Sequence, residues 1–240
     1  MYKRILLKVS GEALSSEGKL LDRDMLGQLC EEIKKIHDAG VEIAIVCGAG
    51  NIIRGKFSKE LGLDRVQVDN MGMLATVING LGLQNRLESL GIQTRVMSAI
   101  KMDEVCEGYI TRRAVHHLEK GRIIICVAGT GHPFFSTDTA AALRASEVGA
   151  EVILMAKNGV DGVYNDDPRK NKEAKKYKKL NYTDVLSHDL QVMDQTAVTI
   201  CKENKIDIFV FNMNDVSNIS KAVNEEDIGT IINEEETCYE

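Results

Sequence analysis

Lys8 lies near the end of a short apolar run, Arg4–Val9, and is followed by Ser10-Gly11-Glu12. A lysine at the carboxyl end of a strand, beside a turn with free N–H groups, can neutralise the oxygens of a phosphate. The same position suits a lysine that only snorkels from a strand end. A second glycine turn, Gly48-Ala49-Gly50, follows the apolar residues 41–47 and leads to Arg54. Gly50 to Lys56 has P-loop spacing, but Phe57 stands where a Ser or Thr hydroxyl would meet Mg²⁺, and Ile53 breaks a GxGxxG reading. What remains is an anion-binding turn with a nearby cation, or an ordinary glycine turn before a helix.

Three further stretches carry chemistry. Asp69 opens Asp69-Asn70-Met71-Gly72-Met73. An acid at a helix start is a cap, or it accepts hydrogen bonds from ribose hydroxyls. The two methionines fit core packing. Residues 128–139 pack glycines, hydroxyls and Pro133 between a strand and a helix. Phe134 and Phe135 are two of only five phenylalanines, and they stand in what should be a polar loop, where rings can flank a base. Asp138 fits a cap, a partner for a lysine, or a carboxylate near a metal. His132 stands alone in its loop and is given no catalytic role. Residues 158–168 are rich in turn formers, and Tyr164 among them can pack on an adenine ring. Residues 169–179 hold seven Lys/Arg against one acid, Glu173. They form a solvated face or, over the site, an attractor for a polyphosphate.

Positioning these groups requires a frame, and the hydrophobic pattern predicts one. Short apolar runs predict strands over 4–9, 41–47, 92–97, 122–127, 151–155, 207–211 and 229–232. Asp22 caps a helix carrying Met25, Leu26, Leu29, Ile33 and Ile36 and closed by Gly40. Helices are also expected from 51 onward, over 69–90, from a Thr111 cap to near Gly121, and over 137–148, 196–204 and 216–223. Gly72, Gly80 and Gly82 cost the long helix about 1 kcal/mol each, which implies close packing against a neighbour. Alternating strands and helices predict an α/β fold with a largely parallel sheet. Ligands of such sheets sit beyond the carboxyl ends of the strands, where the stretches above fall.

Composition sets the class. The 240 residues are 44% hydrophobic and 28% charged, enough for a core without disulfides or structural metal. The net charge of −6 argues against a dedicated nucleic-acid binder. Six cysteines without a CxxC pair exclude a zinc ribbon or thioredoxin motif, and Cys47 and Cys126 read as core. No secretory segment or membrane-length apolar run is visible. The expectation is one reduced, cytoplasmic, globular domain over 1–240, without a membrane partner. Its acidic end, 234–240, reads as a mobile solvated terminus.

KVSGEAL from Lys8, GAGNIIRG from Gly48, DNMGMLAT from Asp69, GTGHPFFSTD from Gly129 and NGVDGVYNDDP from Asn158, in this order, resemble the bacterial uridylate kinase family of the amino acid kinase superfamily. The resemblance runs from about Lys3 to Ile232. It implies a three-layer α/β/α sandwich and the reaction ATP + UMP → ADP + UDP with Mg²⁺. It implies an acceptor side in the N-terminal part and an ATP side from about residue 150. By position, Lys8, Val9, Ser10, Gly11, Gly50 and Arg54 would meet the ATP phosphates, and Asn158, Tyr164 and Asp167 the adenosine. Asp69 would bind the UMP ribose, and Ala49 would touch UMP. Thr130, Gly131, His132, Pro133, Phe134, Phe135, Ser136 and Thr137 would wrap the uracil and its phosphate. Lys8 and Arg54 would be catalytic, with Asp138 positioning the lysine; no residue is implied as a metal ligand. The family also implies a homohexamer, a GTP activator and a UTP inhibitor. Two departures stand out: Ala49 replaces the middle of three glycines, and the 15–21 loop, which the family places near GTP activation, lacks the usual glycine-rich form. The alternatives are a superfamily kinase acting on a carboxylate or carbamate, and a nucleotide- or oxyanion-binding protein without turnover.

Overall fold

The computed structural model describes residues 1–53, 62–157, 159–190 and 192–240. Chain order runs β1 (Arg4–Val9), α1 (Arg23–Asp38), β2 (Glu42–Cys47), α2 (Arg65–Ser89), β3 (Thr94–Ser98), β4 (Glu107–Gly108), α3 (Thr111–Glu119), β5 (Ile123–Val127) and α4 (Thr137–Val148). It continues with β6 (Val152–Lys157), β7 (Tyr177–Asn181), α5 (Tyr182–Ser187), α6 (Gln195–Asn204), β8 (Asp207–Asn212), α7 (Asn218–Val223), β9 (Gly229–Asn233) and β10 (Cys238–Tyr239). Among the described residues all ten strands join one sheet, in the order β10-β7-β9-β8-β6-β1-β2-β5-β3-β4. Only β8–β9 and β7–β10 pair antiparallel. None of the described helices is long and apolar enough to cross a membrane.

The period-2 alternation of strands divides the core into two layers. Ile5, Leu7 and Val9 of β1 pack with α1, α2 and α7. Leu6 points the other way, into the layer built on α3, α4, α5 and α6. Lys8 follows Leu6 in the alternation, which aims it at the α4 side. β1 is parallel to β2 on one edge and to β6 on the other, so Lys8 sits opposite both Val46 and Met155.

Several expectations need correction. The long helix starts at Arg65, where Asp64 accepts the Val66 N–H at 2.9 Å, so Asp69 lies a turn inside and is no cap. Thr111 is the first helical residue; Ile110 holds the cap position and has no capping side chain. Ser136, not Asp138, caps α4, accepting the Thr139 N–H at 3.0 Å. The basic stretch is not all solvated face: Tyr177 turns inward from β7, as Leu180 does just beyond the stretch, and Lys176 is largely covered, while Lys178 stays exposed. Residues 238–239 are not a mobile end, because they pair with β7. The helix expected from 51 onward begins as a turn closed on the Ala49 carbonyl by the Ile52 and Ile53 N–H groups, both at 2.9 Å; residues 54–61 lie outside the described residues.

The helix glycines have separate reasons. A Cβ on Gly80 would come within 2.5 Å of Val127 Cγ1, so this glycine brings α2 down onto β5. A Cβ on Gly82 would press on Leu21 at 3.2 Å. Gly72 lines a cavity, and a Cβ there would make only ordinary contact with Ile53 Cγ2 at 4.0 Å.

Candidate active site

The loops that follow β1, β2 and β5 meet at the carboxyl edge of the sheet. Asn79 of α2, fully buried, donates to the Gly48 carbonyl at 2.8 Å and exchanges hydrogen bonds with Asn51. These bonds hold the Gly48-Ala49-Gly50 turn against Gly11, where a Cβ would fall 2.3 Å from Asn51 Oδ1 and 2.8 Å from the Gly50 nitrogen. Gly11 must therefore be glycine. Gly11 also starts a single 3₁₀ turn, Gly11–Leu14, and the Ser10 hydroxyl makes no cap bond to it. The Val9 side chain lies in the core, so only its backbone reaches this edge; its carbonyl accepts the Gly48 N–H at 2.9 Å.

After β5 the chain turns through left-handed Ala128, Gly129, Gly131 and Phe134. Ala128 pays for that conformation with contacts on both sides of the turn. Its N–H reaches Thr76 Oγ1 of α2 at 2.8 Å, and the next carbonyl, Gly129, faces the buried Arg144 of α4 at 3.4 Å. Asp69 anchors the tip of the loop, accepting the Phe134 N–H at 2.8 Å and the Arg65 guanidinium at 2.9 and 3.0 Å. Arg65 also lies over the Phe134 ring. Ser136 is held from behind by the Asp194 carboxylate, which also takes the Thr139 hydroxyl and caps α6.

The first cavity, about 550 Å³, lies between this loop, α2 and the Gly48–Gly50 turn. Ala49, Gly50, Asp69, Thr130, His132, Phe135, Ser136 and Thr137 line it, with Arg65 and Thr76. Gly131, Pro133 and Phe134 do not: Gly131 packs on Ala99, and Phe134 is engaged by Asp69 and Arg65. Gly50, expected with the ATP phosphates, lines this cavity. The second cavity, about 520 Å³, is lined by Tyr164, Asp167, Pro168 and Val163, and by Leu190 and Val192 across from them. Tyr164 donates its hydroxyl to Asp161 at 2.9 Å. The Arg169 backbone N–H, then its guanidinium, hold the Asp167 carboxyl below the usual range.

Between the cavities stands a charged cluster. Lys8 Nζ lies 3.2 Å from Asp138 Oδ1, a buried oxygen with no hydrogen-bond partner among the described residues, so the lysine charge faces it directly. Thr137 of α4 lines the first cavity, while Lys157, at the end of β6, lines the second. A third, polar hollow of about 440 Å³ has both Asp138 and Lys157 on its wall. Lys157 donates to the Val192 carbonyl at 2.6 Å. Burial lowers its ammonium below the ordinary lysine range; Asp138 opposes the drop and Lys8 adds to it. Sequence reasoning passed over Lys157, although it ends an apolar strand just as Lys8 nearly does. Arg54 and Asn158 lie outside the described residues.

The arrangement suits transfer of an anionic group: two cavities, with two lysines and one orienting carboxylate between them. Compared with known proteins, residues 3–212 match the amino acid kinase family. The chain is similar to the UMP kinase from Bacillus anthracis, with 43% identity, all of this chain and 99% of that one covered, and a TM-score of 0.97. It is similar to the UMP kinase from Ureaplasma parvum, with 41% identity over 98% of this chain and all of that one, TM-score 0.93. It is also similar to the uridylate kinase from Archaeoglobus fulgidus, with 27% identity over 97% of this chain and all of that one, TM-score 0.74.

Proposed function

The chain belongs to the amino acid kinase family, which it matches over residues 3–212, and from that membership we propose that it is a UMP kinase, converting ATP and UMP to ADP and UDP. Full-length likeness to two UMP kinases at 43% and 41% identity supports this acceptor. The observation that carries the reading is the Lys8–Asp138 pair set between the two cavities. In this reading the first cavity takes UMP and the second the ATP nucleoside. A phosphate oxygen of UMP attacks the γ-phosphorus, and the bond from that phosphorus to the β,γ-bridging oxygen breaks to release ADP. The second pKa of a phosphate monoester is about 6, so the nucleophile is already anionic at pH 7 and no strong base is needed. The obstacle is repulsion between two polyanions, and catalysis is positioning plus charge stabilisation. Lys8 and Lys157 supply cations on the transferred group, and Asp138 fixes Lys8. Asp69 and the 130–137 loop hold the acceptor.

The finer parts of this proposal follow the likeness to bacterial uridylate kinases. Mg²⁺ accompanies ATP; bound, it neutralises phosphate oxygens. In this reading Mg²⁺ would be bound mainly through nucleotide oxygens. The protein is a cytoplasmic homohexamer, activated by GTP and inhibited by UTP. Exposed Met71, Leu74 and Ile78 along α2 support self-association, and free thiols at all six cysteines fit a reducing compartment.

The test is ADP release with ATP and Mg²⁺ and, separately, UMP, CMP, dTMP, aspartate, N-acetylglutamate or carbamate. Turnover with UMP far above the others is expected. Activity only with a carboxylate or carbamate would move the acceptor to the rival chemistry, and ATP binding without any turnover would leave a nucleotide-binding protein. GTP and UTP titrations of the same assay, and the mass of the assembly in solution, check the regulatory and hexameric parts.

A further inference from the structure

Residues 237–240 are tied to β7 and α5, and through Lys176 they reach the wall of the second cavity. Thr237 donates its hydroxyl to the Asp184 carboxylate and accepts the Asn181 N–H at 3.0 Å. Cys238 and Tyr239 pair with Lys179 and Tyr177 of β7. The Tyr239 ring stacks on that of Tyr177, centroids 4.5 Å apart, and covers it. Glu240 then closes on Lys176 twice: its N–H reaches the Lys176 carbonyl at 3.1 Å, and its carboxylate sits 2.6 Å from Lys176 Nζ.

Lys176 links this segment to the cavity. Its side chain is 13% exposed, although it is a lysine in a basic stretch. Its second carboxylate partner is Asp161, at 3.7 Å, the residue that also accepts the Tyr164 hydroxyl. Its backbone bridges that of Tyr164. Its stem lies along Gly162, where a Cβ would meet Lys176 Cε at 2.8 Å. Gly162 and Tyr164 are both cavity wall. A lysine stem is flexible and orders only where its ammonium is held. Glu240 supplies the closer of its two carboxylates.

We propose that residues 237–240 form a strap that pre-orders the donor-nucleotide pocket, with Glu240 and Lys176 as positioning residues for the Asp161–Tyr164 wall. The proposal rests on the reading of the second cavity as the ATP site. Ordering a wall before the ligand arrives removes part of the cost of binding. The strap touches no residue of the first cavity, so its effect falls on ATP alone.

The test measures ATP binding by calorimetry without acceptor, KM for ATP and for UMP, and thermal stability. Its variants are Glu240→Gln, Lys176→Met, their double mutant and a chain ending at Glu236. Glu240→Gln weakens ATP binding about three-fold, as loss of one partly exposed ion pair would. The shortened chain, which also loses the tyrosine stack, weakens it about ten-fold. KM for UMP stays within about two-fold in both, and Glu240→Gln adds nothing in the Lys176→Met background. Tyr164→Ala is the reference. If it weakens ATP binding while the strap variants do not, the strap is wrong and the donor pocket stands. If Tyr164→Ala also leaves ATP binding unchanged, the pocket assignment falls and takes the strap with it. An equal rise in both KM values with a lowered melting temperature would make the segment a general stabiliser and overturn the proposal. Should the shortened chain fail to fold, Glu240→Gln carries the same comparison.

Discussion

Lys8 and Lys157 stand at the carboxyl ends of neighbouring parallel strands, yet their surroundings differ. Lys8 pairs with the Asp138 carboxylate; Lys157 donates to the Val192 carbonyl, feels the same Asp138 charge, and carries a burial cost. Lys8→Ala should lower kcat by about 10²-fold or more, ~2.7 kcal/mol, by analogy with removal of one oxyanion donor; steady-state assays at saturating ATP and UMP check it. Lys157, with its pKa lowered, loses its positive charge at a lower pH than an ordinary lysine. The alkaline fall in kcat should therefore begin below the usual lysine range, and Lys157→Arg should move it upward in a pH–rate profile. Asp69→Ala should raise KM for UMP and leave KM for ATP nearly unchanged; a defect confined to ATP would reverse the assignment of the two cavities. Lys8 and Asp138 were legible because one stands beside a glycine turn and the other at the start of a helix, whereas Asp69 drew notice as a helix start and in fact lies a turn inside α2. Lys157 was not, because the turn formers after it drew the reading forward.

Elements were legible where one physical signal dominated. β1 and α4 fall where periodicity places them, α4 between a serine cap and left-handed Gly149. β7 escaped because its inward residues, Tyr177 and Leu180, are outnumbered by outward lysines in a stretch that reads as a charge run. β10 escaped because two residues carry no period; its place depends on a tyrosine stack that only the fold creates. The glycines of α2 show how packing overrides propensity. Alanine at 80 would gain about 1 kcal/mol of helix propensity. Yet its methyl would come within 2.5 Å of Val127 Cγ1, and overpacking costs about 1–3 kcal/mol. Gly80→Ala should therefore lower the urea midpoint without raising the m-value, and repacking with Val127→Ala in the same chain should recover part of the loss.

At the scale of the whole molecule, an acid among the described residues opposes folding at neutral pH. Asp207, at the start of β8, is half-buried between Glu225 and Glu235; burial, then these two charges, raise its pKa to about 6, against the ordinary 3.8, while Asn233 opposes the rise. The protonated form is thus favoured in the fold. The penalty is absent below about pH 4, grows between 4 and 6, and is complete above. Asp207→Asn should raise Tm at pH 7–8 by about 2–4 °C, as ~1 kcal/mol would after solvent screening is allowed for, and should do little near pH 4. The strand order has a longer reach. β2, β5, β3 and β4 lie on one side of β1, and β6, β8, β9, β7 and β10 on the other. On a translating ribosome β1 emerges early, but the partner for its second edge, β6, comes 148 residues later, counted from Arg4 to Val152. At usual elongation rates that is roughly 10–30 s. For that interval the nascent chain carries an open strand edge reading Arg-Ile-Leu-Leu-Lys-Val, the kind of edge that pairs with whatever comes first. The strand that finally carries Lys8 between the two cavities is thus, during synthesis, the part of the molecule most in need of a chaperone.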